Sequence, residues 1–228
     1  MLKNKRQLNI ISIILARGGS KGIKNKNLKK FNDKPLIYWS IKSSLNSKLI
    51  KETWVSSDSK KILNYSKKIG ANIILRPKKH SNDHASSDIA WWHATNVLKR
   101  KKFDLVVGIQ PTSPLRDKDD FDKGIMKFID GKYDSLFSSV SAEDIFLWKF
   151  KNKKLIANYD YKNRPRRQDI KDNYLENGSF YIFKKEGMIK FKNRLFGKIG
   201  TYKMKIINSY QIDTLLDWKI ITLLSKFK

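Results

Sequence analysis

The chain has 228 residues, which is enough for one domain with a substantial buried core. Hydrophobic residues make up 40% of it and aromatic residues 12%, so the composition predicts a packed globular protein and excludes a disordered one. No apolar run approaches the roughly 20 residues that cross a bilayer, and we expect no membrane span. The apolar stretch behind the basic N-terminus is short, so we expect no signal peptide either.

The formal net charge is +28, which raises the question of nucleic-acid binding. Lysine is spread along the whole chain rather than gathered in one stripe, and dispersed charge is weak evidence for a nucleic-acid face. We therefore expect no nucleic-acid partner, although a basic nucleic-acid-binding protein without catalysis remains an alternative. Cysteine is absent, which excludes disulfides and thiolate metal sites and is typical of a cytoplasmic protein.

Short apolar runs alternate with helix-like patterns over the first part of the chain. The runs predict strands at Ile10–Leu15, Thr53–Ser57, Asn72–Leu75, Leu105–Gln110 and Ser135–Val140. Apolar residues three and four apart predict helices at Leu36–Leu45, Lys60–Ile69, Asp88–Lys99 and Asp119–Ile129. Ser87-Asp88 and Arg116-Asp117 are the expected starts of the last two. Strands that are apolar throughout and separated by helices indicate an α/β fold with a Rossmann-like, mostly parallel sheet and helices on both faces.

After Val140 this alternation is interrupted by aromatic strand-like pieces and turn residues. We expect an inserted hairpin arm at about residues 141–178 within a single domain of residues 1–228. The alternation then resumes with a strand at Ser179–Phe183, a helix near Lys185–Lys190, a strand near Tyr202–Ile206 and a last helix from Thr214.

Polar clusters follow three of the strands: "ARGGSKG", "SSDS" and "QPTSPLR". Ligands of open α/β sheets bind beyond the carboxyl ends of the strands, so these clusters should converge on one crevice. In the first cluster, Gly18 and Gly19 let backbone amides approach an anion, and Ser20 adds a hydroxyl. Nearby cations are Arg17, Lys21 and Lys26. This composition predicts a polyphosphate site, with an ordinary strand-exit turn as the alternative. The spacing matches neither a P-loop nor a dinucleotide-binding loop.

The cluster "QPTSPLR" is stiffened by its two prolines. Gln110 would lie at the strand tip with its amide directed to a base edge or a sugar hydroxyl. Arg116 is expected to anchor a phosphate or carboxylate. The alternative is a rigid turn without a binding role.

Together these segments resemble a known family. "ARGGSKGIKNKNLK", "VSSDS", "QPTSPLR", "RRQD…YLENGSFYIF" and "IDTLLD" appear in the order of the motifs of acylneuraminate cytidylyltransferases, over roughly Ile10 to Asp217. The resemblance implies transfer of CMP from CTP to the anomeric hydroxyl of a nine-carbon sugar acid, with release of pyrophosphate. That acid would be N-acetylneuraminate or a legionaminate- or pseudaminate-like nonulosonate. A sister nucleotidyltransferase with another sugar acid or nucleotide remains an alternative.

The resemblance also implies residue roles. It implies catalytic roles for Arg17, Lys21 and Asp213. It implies nucleotide binding by Gly18, Gly19, Ser20, Lys26, Asn27 and Arg76, with Asn27 near the ribose and Arg76 near cytosine. It implies sugar-acid binding by Gln110, Arg167, Tyr181 and Lys149.

Mg²⁺ is the cofactor implied, with Asp213 as its ligand. Asp217 lies one turn further along the same helix face and is a second candidate ligand, with an ordinary helix-surface carboxylate as the alternative. Where many members of the family carry Asp-Ile-Asp, this chain has Gln211-Ile212-Asp213, which argues against tight binding of a second ion. A homodimer is also implied, in which the aromatic residues of the arm form the subunit interface: Phe146, Trp148, Phe150, Tyr159 and Tyr161. A local cluster beneath the sheet edge is the alternative role for them.

His80 and His84, four residues apart, resemble a metal-binding pair. They follow Pro77 in a polar stretch without an evident third ligand, so we expect solvated loop histidines instead.

Overall fold

The computed structural model describes residues 8–20, 22–82, 85–142 and 145–228, with only the backbone of Arg167. Its strands are β1 (Ile10–Leu15), β2 (Lys30–Phe31), β3 (Lys34–Pro35), β4 (Glu52–Ser57), β5 (Asn72–Leu75), β6 (Leu105–Ile109), β7 (Ser135–Ser141), β8 (Trp148–Lys151), β9 (Lys154–Ala157), β10 (Tyr174–Lys184) and β11 (Ile199–Lys203). Its helices are α1 (Leu36–Leu45), α2 (Lys60–Lys68), α3 (Ser87–Val97), α4 (Asp120–Asp130), α5 (Lys185–Phe191), α6 (Ile206–Ser209) and α7 (Leu215–Leu224).

Seven strands form the central sheet in the order β11-β7-β10-β6-β1-β4-β5. The strands β6, β1, β4 and β5 pair in parallel, and β11 is parallel to β7. Only β10 runs against its neighbours β6 and β7 within this sheet. The expected Rossmann-like, mostly parallel sheet is therefore confirmed.

Apolar layers cover both faces of the sheet, and β1 contributes to both. Its Ile10 and Ile14 pack with residues of α1, α2 and α4, whereas Ile11 and Ile13 pack with Trp91 of α3 and Met188 of α5. Because successive side chains of a strand point to opposite faces, a strand covered on both sides is apolar throughout. The apolar runs in the sequence thus result from the layer arrangement.

Some predicted bounds differ from those in the structure. The strand placed near Tyr202–Ile206 is Ile199–Lys203, and Ile206 already belongs to α6. The helix predicted at Asp119–Ile129 is Asp120–Asp130, and its expected entry point at Arg116-Asp117 lies in the turn before it.

The strand β10 starts five residues earlier than the sequence indicated. Its first residues continue the ladder with β7, where Tyr174 lies opposite Ser141 and Glu176 opposite Ser139. The register shifts between Glu176 and Tyr181, which marks a bulge beside the end of β6.

Between β7 and β10 the chain forms a hairpin of β8 and β9 that is separate from the central sheet. Asn152 and Lys153 in its turn both have positive φ, as a two-residue hairpin turn requires. Trp148, Phe150 and Leu155 on this hairpin are exposed.

Within the described part of the chain, no helix is both long enough and apolar enough to cross a membrane.

Asp117 ties the end of the chain to the turn before α4. Its carboxylate pairs with Lys228 at 2.9 Å and with Lys205 at 3.2 Å. Burial opposes ionisation, but the hydrogen bonds from these lysines outweigh it and lower the pKa of Asp117 to about 2.

We expect Asp117→Asn to lower the free energy of unfolding at pH 7 by about 1 kcal/mol, because the pair is partly exposed and screened. The folded-state pKa lies below the ordinary 3.8, so the contribution is present above that pH and is lost as the pH falls toward 2. Denaturant unfolding from pH 7 to pH 3 measures the difference, with Asp130→Asn as the exposed control. A difference that stays constant down to pH 3 would contradict this assignment.

Candidate active site

A cavity of about 450 Å³ opens at the carboxyl ends of the parallel strands. The turns after β1, β5 and β6, the start of α3 and the segment before α7 all contribute to its walls. Its lining residues include Arg17, Ser20, Lys26, Asn27, Arg76, His80, Ser81, Ser86, Ser87, Gln110, Thr112 and Asp213. Of the three predicted clusters, those after β1 and β6 line this cavity, whereas no residue of "SSDS" after β4 does.

A larger cavity of about 920 Å³ lies at the opposite edge of the sheet. Leu8 and Asn9 before β1, Phe103 before β6 and Lys184 at the end of β10 line it. Open α/β sheets bind their ligands at the carboxyl ends of the strands, so the smaller cavity is the candidate site.

The glycine-rich loop after β1 is held from both sides. The backbone N–H of Gly18 donates to Oδ1 of Asp58 at 2.8 Å, which ties the loop to the end of β4. Nδ2 of Asn27 donates to the carbonyl of Arg17 at 3.0 Å. Oδ1 of Asn27 is buried without a hydrogen-bond partner among the described residues. Lys21, expected in this loop, lies outside the described residues.

Arg76 forms a buried wall of the cavity with only 4% of its surface exposed. Its Nε donates to Oγ of Ser81 at 2.9 Å. Burial lowers the pKa of Arg76 to about 10, the neighbouring Arg17 acts in the same direction, and Asp58 opposes both. A guanidinium fixed in this way presents donors to an acceptor-rich ligand at little further entropic cost.

Asp213 faces the same cavity from the other end of the chain. Nζ of Lys26 donates to Oδ1 of Asp213 and to the carbonyl of Ile212, at 2.8 Å in both cases. The Asp213 side chain is nevertheless 66% exposed, so its second oxygen faces solvent.

Asp217 forms a capping box at the start of α7. Its Oδ2 accepts the backbone N–H groups of Asp213 at 3.0 Å and of Thr214 at 2.7 Å, while its own N–H donates to the Thr214 hydroxyl. The hydrogen bonds from Thr214 and Asp213 lower the pKa of Asp217 despite partial burial. One of its oxygens therefore already has a structural partner.

Three other carboxylates lie close enough together to hold a metal ion: Asp117, Asp119 and Asp120. Asp117 pairs with Lys228 and Lys205, and Asp119 with Lys123. None of the three lines the 450 Å³ cavity, so this cluster is a structural ion-pair network rather than part of the candidate site.

Arg116 points into the fold and does not line the cavity, whereas "QPTSPLR" predicted a phosphate or carboxylate anchor. Its guanidinium donates to the hydroxyls of Ser179 and Ser40 at 2.7 and 3.0 Å, and to the carbonyls of Gln110 and Ser179. Burial lowers the pKa of Arg116 to about 9, with Asp120 opposing. The residue instead fixes the exit of β6, and so Gln110, against β10.

Only some of the residues that were predicted to bind the sugar acid line the cavity. Gln110 lines the cavity, whereas Lys149 is exposed on β8 and Tyr181 is buried, and neither of these two lines it. The Tyr181 hydroxyl donates to Glu176, and its ring lies 5.3 Å from that of Trp91. The side chain of Arg167 lies outside the described part of the structure.

Sequence reasoning missed the role of Asp58, which supports the loop after β1 without lining the cavity, and misjudged His80. Asp58 belongs to the quoted "SSDS" cluster, so its place at a strand end was the available signal. His80 was expected to be a solvated loop histidine, yet it lines the cavity and its ring packs 5.4 Å from that of His93. His84, the second member of the histidine pair, lies outside the described residues.

A family model described as cytidylyltransferase matches residues 11–226. The chain belongs to the cytidylyltransferase family. This cytidylyltransferase is 34% identical to N-acylneuraminate cytidylyltransferase A of Danio rerio over 96% of the chain, although it spans only 51% of that relative. It is 30% identical to post-translational flagellin modification protein B of Campylobacter coli over 96% of both chains. It is 34% identical to pseudaminic acid cytidylyltransferase of Campylobacter jejuni over 75% of the chain and 77% of the relative.

Among solved structures, the cytidylyltransferase resembles CMP:2-keto-3-deoxy-manno-octonic acid synthetase complexed with CTP. The TM-score is 0.71 at 17% identity, with 96% of this chain and 99% of the other covered. A 4-diphosphocytidyl-2C-methyl-D-erythritol synthase from Anaerococcus prevotii also gives 0.71, at 12% identity and 96% and 97% coverage. At these identities the likeness shows the fold alone.

We expect Gly22→Ala to destabilise the protein. A Cβ at Gly22 would overlap the carbonyl oxygen of Asp213, which is backbone and cannot turn aside. Overpacking of this kind costs about 1–3 kcal/mol, measured as a lower midpoint of thermal unfolding. Gly19→Ala is the matched control, since a Cβ there meets no atom within 4 Å. Equal midpoints for the two variants would show that the loop around Gly22 is not tightly packed against the backbone of Asp213.

Proposed function

We propose that this cytidylyltransferase transfers CMP from CTP to the anomeric hydroxyl of a nine-carbon sugar acid and releases pyrophosphate. The observation that carries the proposal is the gathering of Arg17, Lys26, Arg76, Gln110 and Asp213 around one cavity at the carboxyl ends of the strands. Relatives named for N-acylneuraminate and for pseudaminic acid support a sugar acid of this size.

In the proposed reaction the anomeric hydroxyl loses its proton to solvent, and its oxygen attacks the α-phosphorus of CTP. A new O–P bond forms, the bond between the α-phosphorus and the bridging oxygen breaks, and pyrophosphate leaves with that electron pair. Such a transfer depends mainly on in-line positioning and on neutralising negative charge. Arg17 and Lys26, with Lys21 and the backbone amides of Gly19 and Ser20, are proposed to hold the phosphates.

The nucleoside is proposed to bind deeper in the cavity. Oδ1 of Asn27, buried and without a partner among the described residues, suits the hydroxyl donors of a ribose. The buried guanidinium of Arg76 suits the acceptor atoms of cytosine. Gln110, held in place by Arg116, is proposed to face the sugar acid, whose carboxylate would be bound by Arg167 of the arm.

Mg²⁺ is the proposed cofactor, and oxygen ligands of the kind it prefers are present. Asp213 fits best, because one carboxylate oxygen faces solvent beside the cavity. Asp217 is a weaker candidate, since its Oδ2 already accepts two backbone N–H groups. When bound, the ion would offset charge on the phosphate oxygens.

The arm at residues 141–178 is proposed to join two copies of the chain. Its aromatic residues pack on one another, with ring centroids of Phe146 and Tyr159 4.6 Å apart and those of Trp148 and Tyr161 5.4 Å apart. Phe150 and Leu155 nevertheless remain 69% and 62% exposed. Exposed apolar surface on a protruding hairpin is typical of an interface. We place the enzyme in the cytoplasm, as its cysteine-free composition favours.

The function is tested by pyrophosphate release from CTP and Mg²⁺ with N-acetylneuraminic, legionaminic and pseudaminic acids. We expect turnover with at least one acid, abolished by EDTA and restored by Mg²⁺. Arg17→Ala and Asp213→Ala should each lower kcat by about a hundredfold, because Arg17 would offset phosphate charge directly and Asp213 would do so through the ion that it holds.

The matched controls for these variants are Arg100→Ala and Asp130→Ala, which change exposed residues outside the cavity and should leave kcat unchanged. Wild-type kinetics for both Arg17→Ala and Asp213→Ala would place the site elsewhere. No turnover with any acid, together with salt-sensitive RNA binding, would replace the proposal by the nucleic-acid alternative.

The arm is tested by light scattering after gel filtration. We expect the wild-type chain to be a dimer and the double variant Phe150→Glu, Leu155→Glu to be a monomer, because charges would be buried without partners at the interface. Phe227→Glu, at the most exposed large apolar residue of the described chain, is the control and should stay dimeric. If the double variant remained a dimer, the aromatic residues of the arm would form only a local cluster and not the subunit interface.

A further inference from the structure

We infer that Gln211 is a positioning residue that sets the place of the Asp213 carboxylate at the cavity. This inference assigns Gln211 a role in the proposed reaction and rests on that function for its kinetic test. It is carried by a chain of contacts that runs from β10, through Gln211, to the glycine-rich loop.

The amide of Gln211 connects two separate parts of the fold. Its Nε2 donates to the carbonyl of Asn177 in β10, and its Oε1 accepts from the hydroxyl of Thr112 at 3.4 Å. Thr112 belongs to the turn after β6, which also carries Gln110. Gln211 therefore links the bulged strand, the cavity wall and the segment before α7.

The backbone of β10 is shaped to admit this side chain. Gly178 has φ of +61°, and a Cβ built on it would lie 2.8 Å from Nε2 of Gln211. A residue with a side chain would be strained at that φ and would also displace the amide. The same irregularity accounts for the register shift between Glu176 and Tyr181.

The two residues after Gln211 connect it to the wall of the cavity. The N–H of Ile212 donates to the carbonyl of Thr112 at 2.9 Å, and its side chain is fully buried. The Ile212 carbonyl and the Asp213 carboxylate both accept from Lys26. Asp213 itself lies against Gly22, so a shift of the segment would move both the carboxylate and the loop.

The contact with Asn177 in this chain uses the amide of Gln211 as a donor, which a carboxylate could not replace. Asn177 presents a carbonyl oxygen, so its partner must donate a hydrogen bond, and an ionised side chain would place negative charge against it. Asp213 is the acidic residue among those that line the cavity. Gln211 thus positions the Asp213 carboxylate, and its own neutral side chain adds no charge beside the cavity.

The closing experiment compares Gln211→Met with Tyr210→Met, which introduces the same side chain at the exposed neighbouring position. Methionine has the length of glutamine and removes both hydrogen bonds, so the fold should survive. We expect Gln211→Met to lower kcat by about ten- to a hundredfold with little change in KM for CTP, because a displaced catalytic group slows the chemical step. Amide exchange at residues 211–213 should accelerate by about tenfold in the same variant, because local opening becomes easier. Tyr210→Met should match the wild type in both measurements.

Gln211→Glu is the second variant, and it retains the acceptor for Thr112 but loses the donor to Asn177. We expect it to behave as Gln211→Met does. Wild-type exchange and kcat in either variant would overturn the inference. A lower unfolding midpoint with unchanged kcat would also overturn it, since the role would then be structural only. If the wild-type chain turned over none of the sugar acids, the proposed function would fail, and the exchange measurement alone would decide the role of Gln211.

Discussion

The cavity depends on one contact between the two ends of the chain. The ammonium of Lys26 binds the carbonyl of Ile212 and the carboxylate of Asp213, residues 186 and 187 positions further along. Hydrogen bonds from a charged donor are stronger than neutral ones, and the Lys26 side chain is only 13% exposed. This contact joins the loop after β1 to the segment before α7 at the wall of the cavity. The site is therefore assembled by tertiary structure and does not exist in any single motif.

Two buried arginines near this cavity show how the fold separates support from binding. Arg116 directs its donors to hydroxyls and carbonyls of Ser179, Ser40 and Gln110, all inside the fold, and lies outside the cavity lining. Arg76 is as deeply buried but faces the cavity. Burying a guanidinium without a full set of acceptors is unfavourable, which a ligand with acceptor atoms would relieve. Burial by itself therefore does not identify a binding arginine. The direction in which its N–H donors point distinguishes a binding role from a structural one.

Local periodicity was enough to predict much of the fold. The bounds of β1, β5 and α1 follow from apolar spacing alone, because these elements bury side chains in a regular pattern. The first residues of β10 are exposed, and they are strand only because β7 pairs with them. Arg116 was misjudged because a sequence does not reveal whether an arginine points inward. The Asp58 contact with Gly18 spans 40 positions, so the loop motif gave no sign of it.

The geometry of the cavity indicates what the high net charge contributes to ligand binding. Exposed lysines spread over the surface raise the local concentration of any anion but do not select one, because salt and water screen them. Selection requires charges held at fixed positions away from water, as Arg76 is by burial and Lys26 by Asp213. A long nucleic acid could follow the dispersed lysines, yet a cavity of about 450 Å³ admits a ligand of nucleotide size. The charge therefore favours arrival of a triphosphate, whereas recognition rests with the few cations that line the cavity.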